Sequence, residues 1–291
     1  MALGGGVTGI PHDYSASGTG SCSGGGGHSR NSLEWHSGAV VEGFAHFHSS
    51  VTFNNPNGAG CGTYSWYAVN WDHVGGTDGN VYAAGNYGGY GSQGNGWVQK
   101  YDGDGSAGYV HTFDSVVNSS VDYISGVTVN DEGYAVVVGQ ADPDTQDIWV
   151  RRLGQNGSEF WTRTYDGGGS DYAAAVALDS GGNIIVVGTT STDAWIRKYN
   201  SDGGTLWTEI EQGSPYAYPS GVATDSMDRI VIVGILDSDI WVQQRDPDGN
   251  TLWTDTFSAE AEIASGTAIA TDSDDNIVVV GHISKPGGRD M

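Results

Sequence analysis

NIIVVGTTSTDAWIRKYNSDGGTLWTEI (183–210) and RIVIVGILDSDIWVQQRDPDGNTLWTDT (229–256) align without a gap. Trp149, Trp195 and Trp241 follow one another at intervals of 46 residues, and a second column, Trp161, Trp207 and Trp253, keeps the same interval. Glycines close an apolar run at Gly139, Gly188, Gly234 and Gly281. An earlier, looser unit joins DGNVYAAG (78–85) to GWVQKYDGDG (96–105) through an insert, NYGGYGSQGN (86–95). A period in the mid-forties with several strands per unit is the signature of propeller blades.

Each unit resolves into four strands. The first is small and apolar: SGVTVN (125–130), AAAVALD (173–179), SGVATD (220–225) and SGTAIATD (265–272). The second is apolar on both faces, as in NIIVVG (183–188) and NIVVVG (276–281), which means burial on both sides between neighbouring blades. The third alternates (WIRKY, WVQQR), and the fourth sets Trp beside charge (GTLWTEI, NTLWTDT). That gradient reads from the crowded axis to a rim whose charges keep an outer edge strand from pairing with other chains. Strands three and four are joined by DGDGS, QNGS, NSDGG and DPDGN, and strands one and two by NDEG, DSGG, DSMD and DSDD. These turns supply the Gly, Asn and Asp that tight hairpins need. The expected fold is all-β: a propeller of four-stranded blades, with four full units and half of a fifth.

The order of these motifs resembles the bacterial and archaeal SBBP repeat: a small strand ending in Asp, then Gly-Asn-apolar-Val-x-Gly, then Asp-x-Trp-x-x-Lys/Arg-Tyr, then Asp-Gly-x-x-Leu-Trp. The resemblance covers residues 65–291. Asp228-Arg229 replaces Gly-Asn in one turn, and Gln155-Asn156 replaces the acidic turn in another. The resemblance implies an extracellular or surface-layer setting without assigned catalysis, although propellers carry many unrelated functions.

Composition agrees. The chain has 291 residues, 48 of them Gly, and only 16% are charged, so many short strands joined by glycine-rich turns are expected rather than helices. With 35 acids against 11 bases the net charge is −24, which repels phosphate backbones and makes nucleic acid an unfavourable partner. No apolar run approaches the roughly 18 residues of a membrane span, and the first residues, MALGGGVTGIPHDYS, lack the basic start and apolar core of a secretion signal.

Three regions follow: a glycine-rich segment at 1–31, a β-rich segment at 32–64, and the repeats at 65–291. Residues 32–54 are the uncommitted β-rich stretch that could cover the half unit and close a five-bladed ring.

Candidate site residues fall into four sets. Asp179, Asp225 and Asp272, with Asn130 in the same column, end the first strands and should gather on one face near the axis. There they could hold a cation or polar ligand, or simply cap their own turns. Trp149, Trp195 and Trp241, each two residues after Asp147, Asp193 and Asp239, could stack sugars or pack between blades. His46 and His48 would face the same way on a strand and, with His36, could ligate zinc or copper. The DxDG turns at 102–105 and 246–249 carry acids of the kind that bind calcium, but lack the downstream bidentate acid. No cofactor is required by these residues, and calcium is the one the acidic turns suggest. No GxSxG, HExxH, P-loop or dinucleotide fingerprint occurs.

The expected role is a structural or interaction scaffold at the cell surface or outside it, binding protein or glycan. A lectin-like propeller is the alternative, and a secreted hydrolase or lyase with acids at the axial mouth is a third. Asn118 and Asn156 head N-glycosylation sequons in expected loops.

Cys22 and Cys61 are the two cysteines, and in an exported protein they are expected to form a disulfide. Closing a loop of about 40 residues stabilises by roughly 4 kcal/mol on chain-entropy grounds. Thiol titration of the native exported protein should find no free thiol; two free thiols contradict the pairing.

Overall fold

The computed structural model describes residues 47–53, 62–68, 80–87, 95–102, 106–113, 123–141, 147–213, 216–258 and 263–284. Among the described residues there are nineteen strands and no helix. β1 (Phe47–Phe53) pairs with β2 (Gly62–Ala68), which crosses the boundary expected at 64/65. β3 (Val81–Tyr87), β4 (Asn95–Tyr101) and β5 (Ala107–Phe113) form a three-stranded sheet. Three complete blades follow. They comprise β6 (Tyr123–Val129), β7 (Ala135–Ala141), β8 (Asp147–Leu153) and β9 (Glu159–Tyr165); β10 (Asp171–Leu178), β11 (Ile184–Thr190), β12 (Asp193–Tyr199) and β13 (Thr205–Glu211); and β14 (Ala217–Thr224), β15 (Ile230–Leu236), β16 (Asp239–Arg245) and β17 (Thr251–Phe257). β18 (Ile263–Thr271) and β19 (Ile277–Ser284) make a half blade. Every sheet is an antiparallel meander in chain order, as a β-propeller requires.

The core lies between blades. On β11, Ile184 and Val186 pack toward the preceding blade with Val136, Val138 and Ile148, while Ile185 and Val187 pack toward the following blade with Val222 and Ile232. β7 and β15 divide their side chains in the same way. A period-2 strand has two faces, and here each belongs to a different joint, which is why the four residues before the column glycine (135–138, 184–187 and 230–233) are all apolar.

The glycine that closes each second strand has a steric cause. The first strand bulges at Ile124/Gly126, Ala173/Ala175, Pro219/Gly221 and Gly266/Ala268. Each bulge brings a first-strand carbonyl so close that a Cβ added to the facing glycine would collide with it: Tyr123 O at Gly139, Tyr172 O at Gly188, Tyr218 O at Gly234, and Ser265 O at Gly281. Only glycine fits there.

Outer strands are tied to the next blade by a second device. Trp161 Nε1 donates to Ser201 O (3.0 Å) and Trp207 Nε1 to Pro247 O (3.1 Å), both in the third-to-fourth-strand turn of the following blade. Arg152 and Lys198 donate to the same two carbonyls at 2.7 and 3.0 Å. The indoles lie over Gly203 (φ 78°) and Gly249 (φ 92°), where a Cβ would sit 2.9–3.0 Å from the ring. The Asp-Gly turn therefore needs glycine twice, for its left-handed backbone and for the Trp above it.

β19 has the first device without the second. Ile277 and Val279 pack inward, but Val278 and Val280 are 45% and 53% exposed. Trp253, with no turn of a following blade above it among the described residues, is 38% exposed and donates instead to Gln244 Oε1 of its own blade at 2.8 Å. Among the described residues β19 pairs with β18 alone and β1 with β2; most of the stretch expected to cover the half blade, residues 32–46, lies outside the described residues.

Trp207→Ala should lower stability by about 2–3 kcal/mol and Trp253→Ala by less than about 1 kcal/mol, since only the first indole lies under a neighbouring turn. Thermal or urea unfolding of the two variants measures the difference.

Candidate functional site

The turns joining first to second strands sit side by side on one face. Ser180 donates its N–H and Oγ to Asp228 of the next blade at 2.7 and 2.8 Å, and Ser226 does the same to Asp275 at 2.9 and 2.8 Å. The third turn position has positive φ throughout: Gly133 at 80°, Gly182 at 74°, Asp228 at 59° and Asp275 at 61°. Aspartate tolerates this region better than most residues. The departure of Asp228-Arg229 from Gly-Asn thus replaces a free turn with a clamp on the preceding blade.

The column of Asn130, Asp179, Asp225 and Asp272 lies on this face, with its oxygens engaged by the turns themselves. Asp179 accepts the N–H groups of Gly181 (3.0 Å) and Asn183 (2.8 Å), Asn183 Nδ2 (2.8 Å) and the Lys198 ammonium (2.9 Å). Asp225 accepts Met227 N–H, Arg229 N–H, Arg229 Nε at 2.5 Å and Gln244 Nε2 at 3.3 Å. Asp272 accepts Asp274 N–H, Asn276 N–H and Asn276 Nδ2. Asn130 Oδ1 accepts Tyr134 N–H at 2.9 Å. These are turn caps, and they leave the carboxylates directed into protein donors rather than toward a ligand.

The Asp179–Lys198 pair is buried, and its electrostatics follow from its donors. Burial pushes the Asp179 carboxyl up, but hydrogen bonds from Asn183 and Lys198, with the Lys198 charge, outweigh it and hold the group below its ordinary value. Asp272 is also held low, first by Asn276.

Trp149, Trp195 and Trp241 are buried and pair across the sheet with Gly139, Gly188 and Gly234, so none offers a sugar an open face. Arg151 and Arg197 sit over the Trp149 and Trp195 rings at 4.8 and 5.1 Å. In the turn at 246–249, Asp246 accepts Asp248 N–H, Asn250 N–H and Asn250 Nδ2, again a cap. Residues 103–105 lie outside the described residues, as do His36, His46, Cys22, Cys61 and Asn118. His48 falls on β1, of which only the backbone is described. Asn156 is exposed, and its Oδ1 accepts from Ser158 N–H and Oγ.

The sequence did not single out the joint itself, Trp161 and Trp207 over the next blade's turn. The two columns were visible, but their contact across blades was not.

No protein-family model and no curated protein matches the chain. Among solved structures it is similar to the Dos1 propeller, at 11% identity and a TM-score of 0.51 over 74% of this chain and 52% of that one. It is also similar to a protein from Lactobacillus plantarum, at 13% identity and a TM-score of 0.50 over 80% and 74%. The chain therefore spans about half the length of the Dos1 propeller chain, 52%, and the likeness is one of fold. With its blades and joints, this makes the protein a β-propeller. No helix among the described residues is long and apolar enough to cross a membrane.

A carboxyl whose folded pKa is depressed contributes stability that is present above its unfolded value and is lost as pH falls through the folded value. Native protein should therefore lose stability on acidification below about pH 4. Asp179→Asn should be less stable at pH 7 by about 3 kcal/mol, because Lys198 is left buried without its counter-charge. The difference should shrink toward low pH, and urea unfolding across pH reads both effects.

Proposed function

We propose that this chain is an SBBP-type repeat propeller displayed outside the cell, where it serves as an interaction scaffold for other proteins. The observation that carries the reading is a column of large apolar side chains on the outermost strands. Phe160, Leu206 and Leu252, 46 residues apart on β9, β13 and β17, are 57%, 50% and 49% exposed. Phe160 also meets the Tyr134 ring and the Arg152 guanidinium, but about half of each side chain faces solvent, and an ordered series of such residues is suited to docking. The acidic, lysine-poor surface and the resemblance of the repeat to surface-layer proteins support a location outside the cell. The carboxylates of the axial-face turns serve the turns, so the face that would host a hydrolase or lyase is occupied by structure.

Cross-linking on intact producing cells should capture protein neighbours at the envelope. Replacing Phe160, Leu206 and Leu252 together with serine should remove those neighbours without unfolding the chain. Recovery of the protein only from the cytosol, or an unchanged set of neighbours with the triple variant, contradicts the proposal.

A further inference from the structure

At one place in the described blades a charge is buried where the two later blades bury a methyl group; the preceding unit carries an aspartate, Asp122, at the same sequence position. Asp171, Ala217 and Ala264 occupy equivalent places at the start of the first strand, facing Thr190, Leu236 and Ile283, each two residues beyond the column glycine. All three are fully buried. Where the two later blades bury a methyl group, this one buries a carboxylate. Asp171 Oδ2 accepts the Gly167 N–H at 2.5 Å, but Oδ1 is buried without a hydrogen-bond partner. An ionised carboxylate left in that condition is strongly unfavourable unless a positive charge reaches it.

The surroundings are acidic as well. One carboxylate oxygen from each of Asp147, Asp166 and Asp171 lies within 4.8 Å of the others. The Asp147 column recurs as Asp193 and Asp239, which accept Gly213 N–H at 3.3 Å and Ser258 Oγ at 2.7 Å. Ser258 is the residue just after β17, and its equivalent just after β9 is Asp166, an acceptor. Both register changes at this junction, Ser to Asp and Ala to Asp, thus exchange a donor or an apolar group for a carboxylate. Neither is explained by packing.

We infer that Asp147, Asp166 and Asp171 form a divalent-cation site, with calcium as the ion, at the junction between the β6–β9 and β10–β13 blades. The donor set is entirely hard oxygen. Oxygens up to 4.8 Å apart match the span of a calcium shell with ligands at about 2.3–2.6 Å, whereas magnesium, at about 2.0–2.1 Å, would draw them closer. Asp171 anchors the ion from below, Asp147 comes from β8, and Asp166 reaches it from the exposed loop that precedes Asp171. Water completes the shell on the solvent side. The site lies away from the Asp179, Asp225 and Asp272 turns, whose donors are internal, and it would link the outer end of one blade to the first strand of the next.

Calcium alone, added to the metal-free full chain at neutral pH, should bind at this site in calorimetry and raise the thermal midpoint in a saturable way. Magnesium at the same concentration should act more weakly. Asp171→Ala restores the residue that the next two blades use at this position. It should fold, show a calcium-free midpoint equal to or above that of the native chain, and lose the calcium-dependent rise. Asp166→Asn, in the exposed loop, should weaken calcium binding at least tenfold and leave the calcium-free midpoint unchanged, which tests the site independently of the buried position. Asp239→Asn, in the equivalent column of a later blade, should keep the full response. Absence of a calcium response in the native chain, or a response that persists in Asp171→Ala and Asp166→Asn, overturns the inference.

Discussion

Every blade depends on its neighbour because its second strand has two apolar faces and one sheet can cover neither. In β7, β11 and β15 successive side chains point alternately into the joint behind and the joint ahead, so each core is shared property of two blades. No blade of this kind can bury its hydrophobic residues alone, and stability therefore accumulates from joint to joint as in other repeat folds. β19 shows the rule by exception: its inward residues are packed, while its outward valines meet solvent.

The remaining repeat motifs serve this stacking. A bulge in the first strand brings a carbonyl against the second and demands glycine. The third strand supplies Trp, laid across that glycine, and an Arg or Lys for the next turn. The fourth supplies the indole that covers the next Asp-Gly turn. On the opposite side, Ser180–Asp228 and Ser226–Asp275 join successive turns through paired hydrogen bonds. Polar groups and apolar faces are thus matched at the same joints, and a shift of one blade would break both sets together.

Fold class was legible in the sequence because a period of 46, a glycine column and two Trp columns survive without any knowledge of contacts. What those columns touch was not. Periodicity places Trp149, Trp195 and Trp241 on a face but cannot say whether that face meets water or another blade, so a sugar platform and a packing residue looked alike. The same holds for Asp179, Asp225 and Asp272: convergence on one face was legible, but the donors that engage them come from local backbone geometry and from Lys198 or Gln244 two strands away. Asp171 is a further case. Its difference from Ala217, 46 residues on, already follows from the period, but its burial and its two acidic neighbours are legible only in the structure.

Hydrogen exchange by mass spectrometry tests most directly whether joints between blades, rather than individual sheets, carry the stability. β11 and β15 have blades on both sides, and β19 has one side open, although all three strands have nearly the same sequence. The account predicts that amides of 184–190 and 230–236 exchange only with global unfolding, while those of 277–284 exchange much faster through local opening. Equal protection of β19 and β11 in this chain would contradict it.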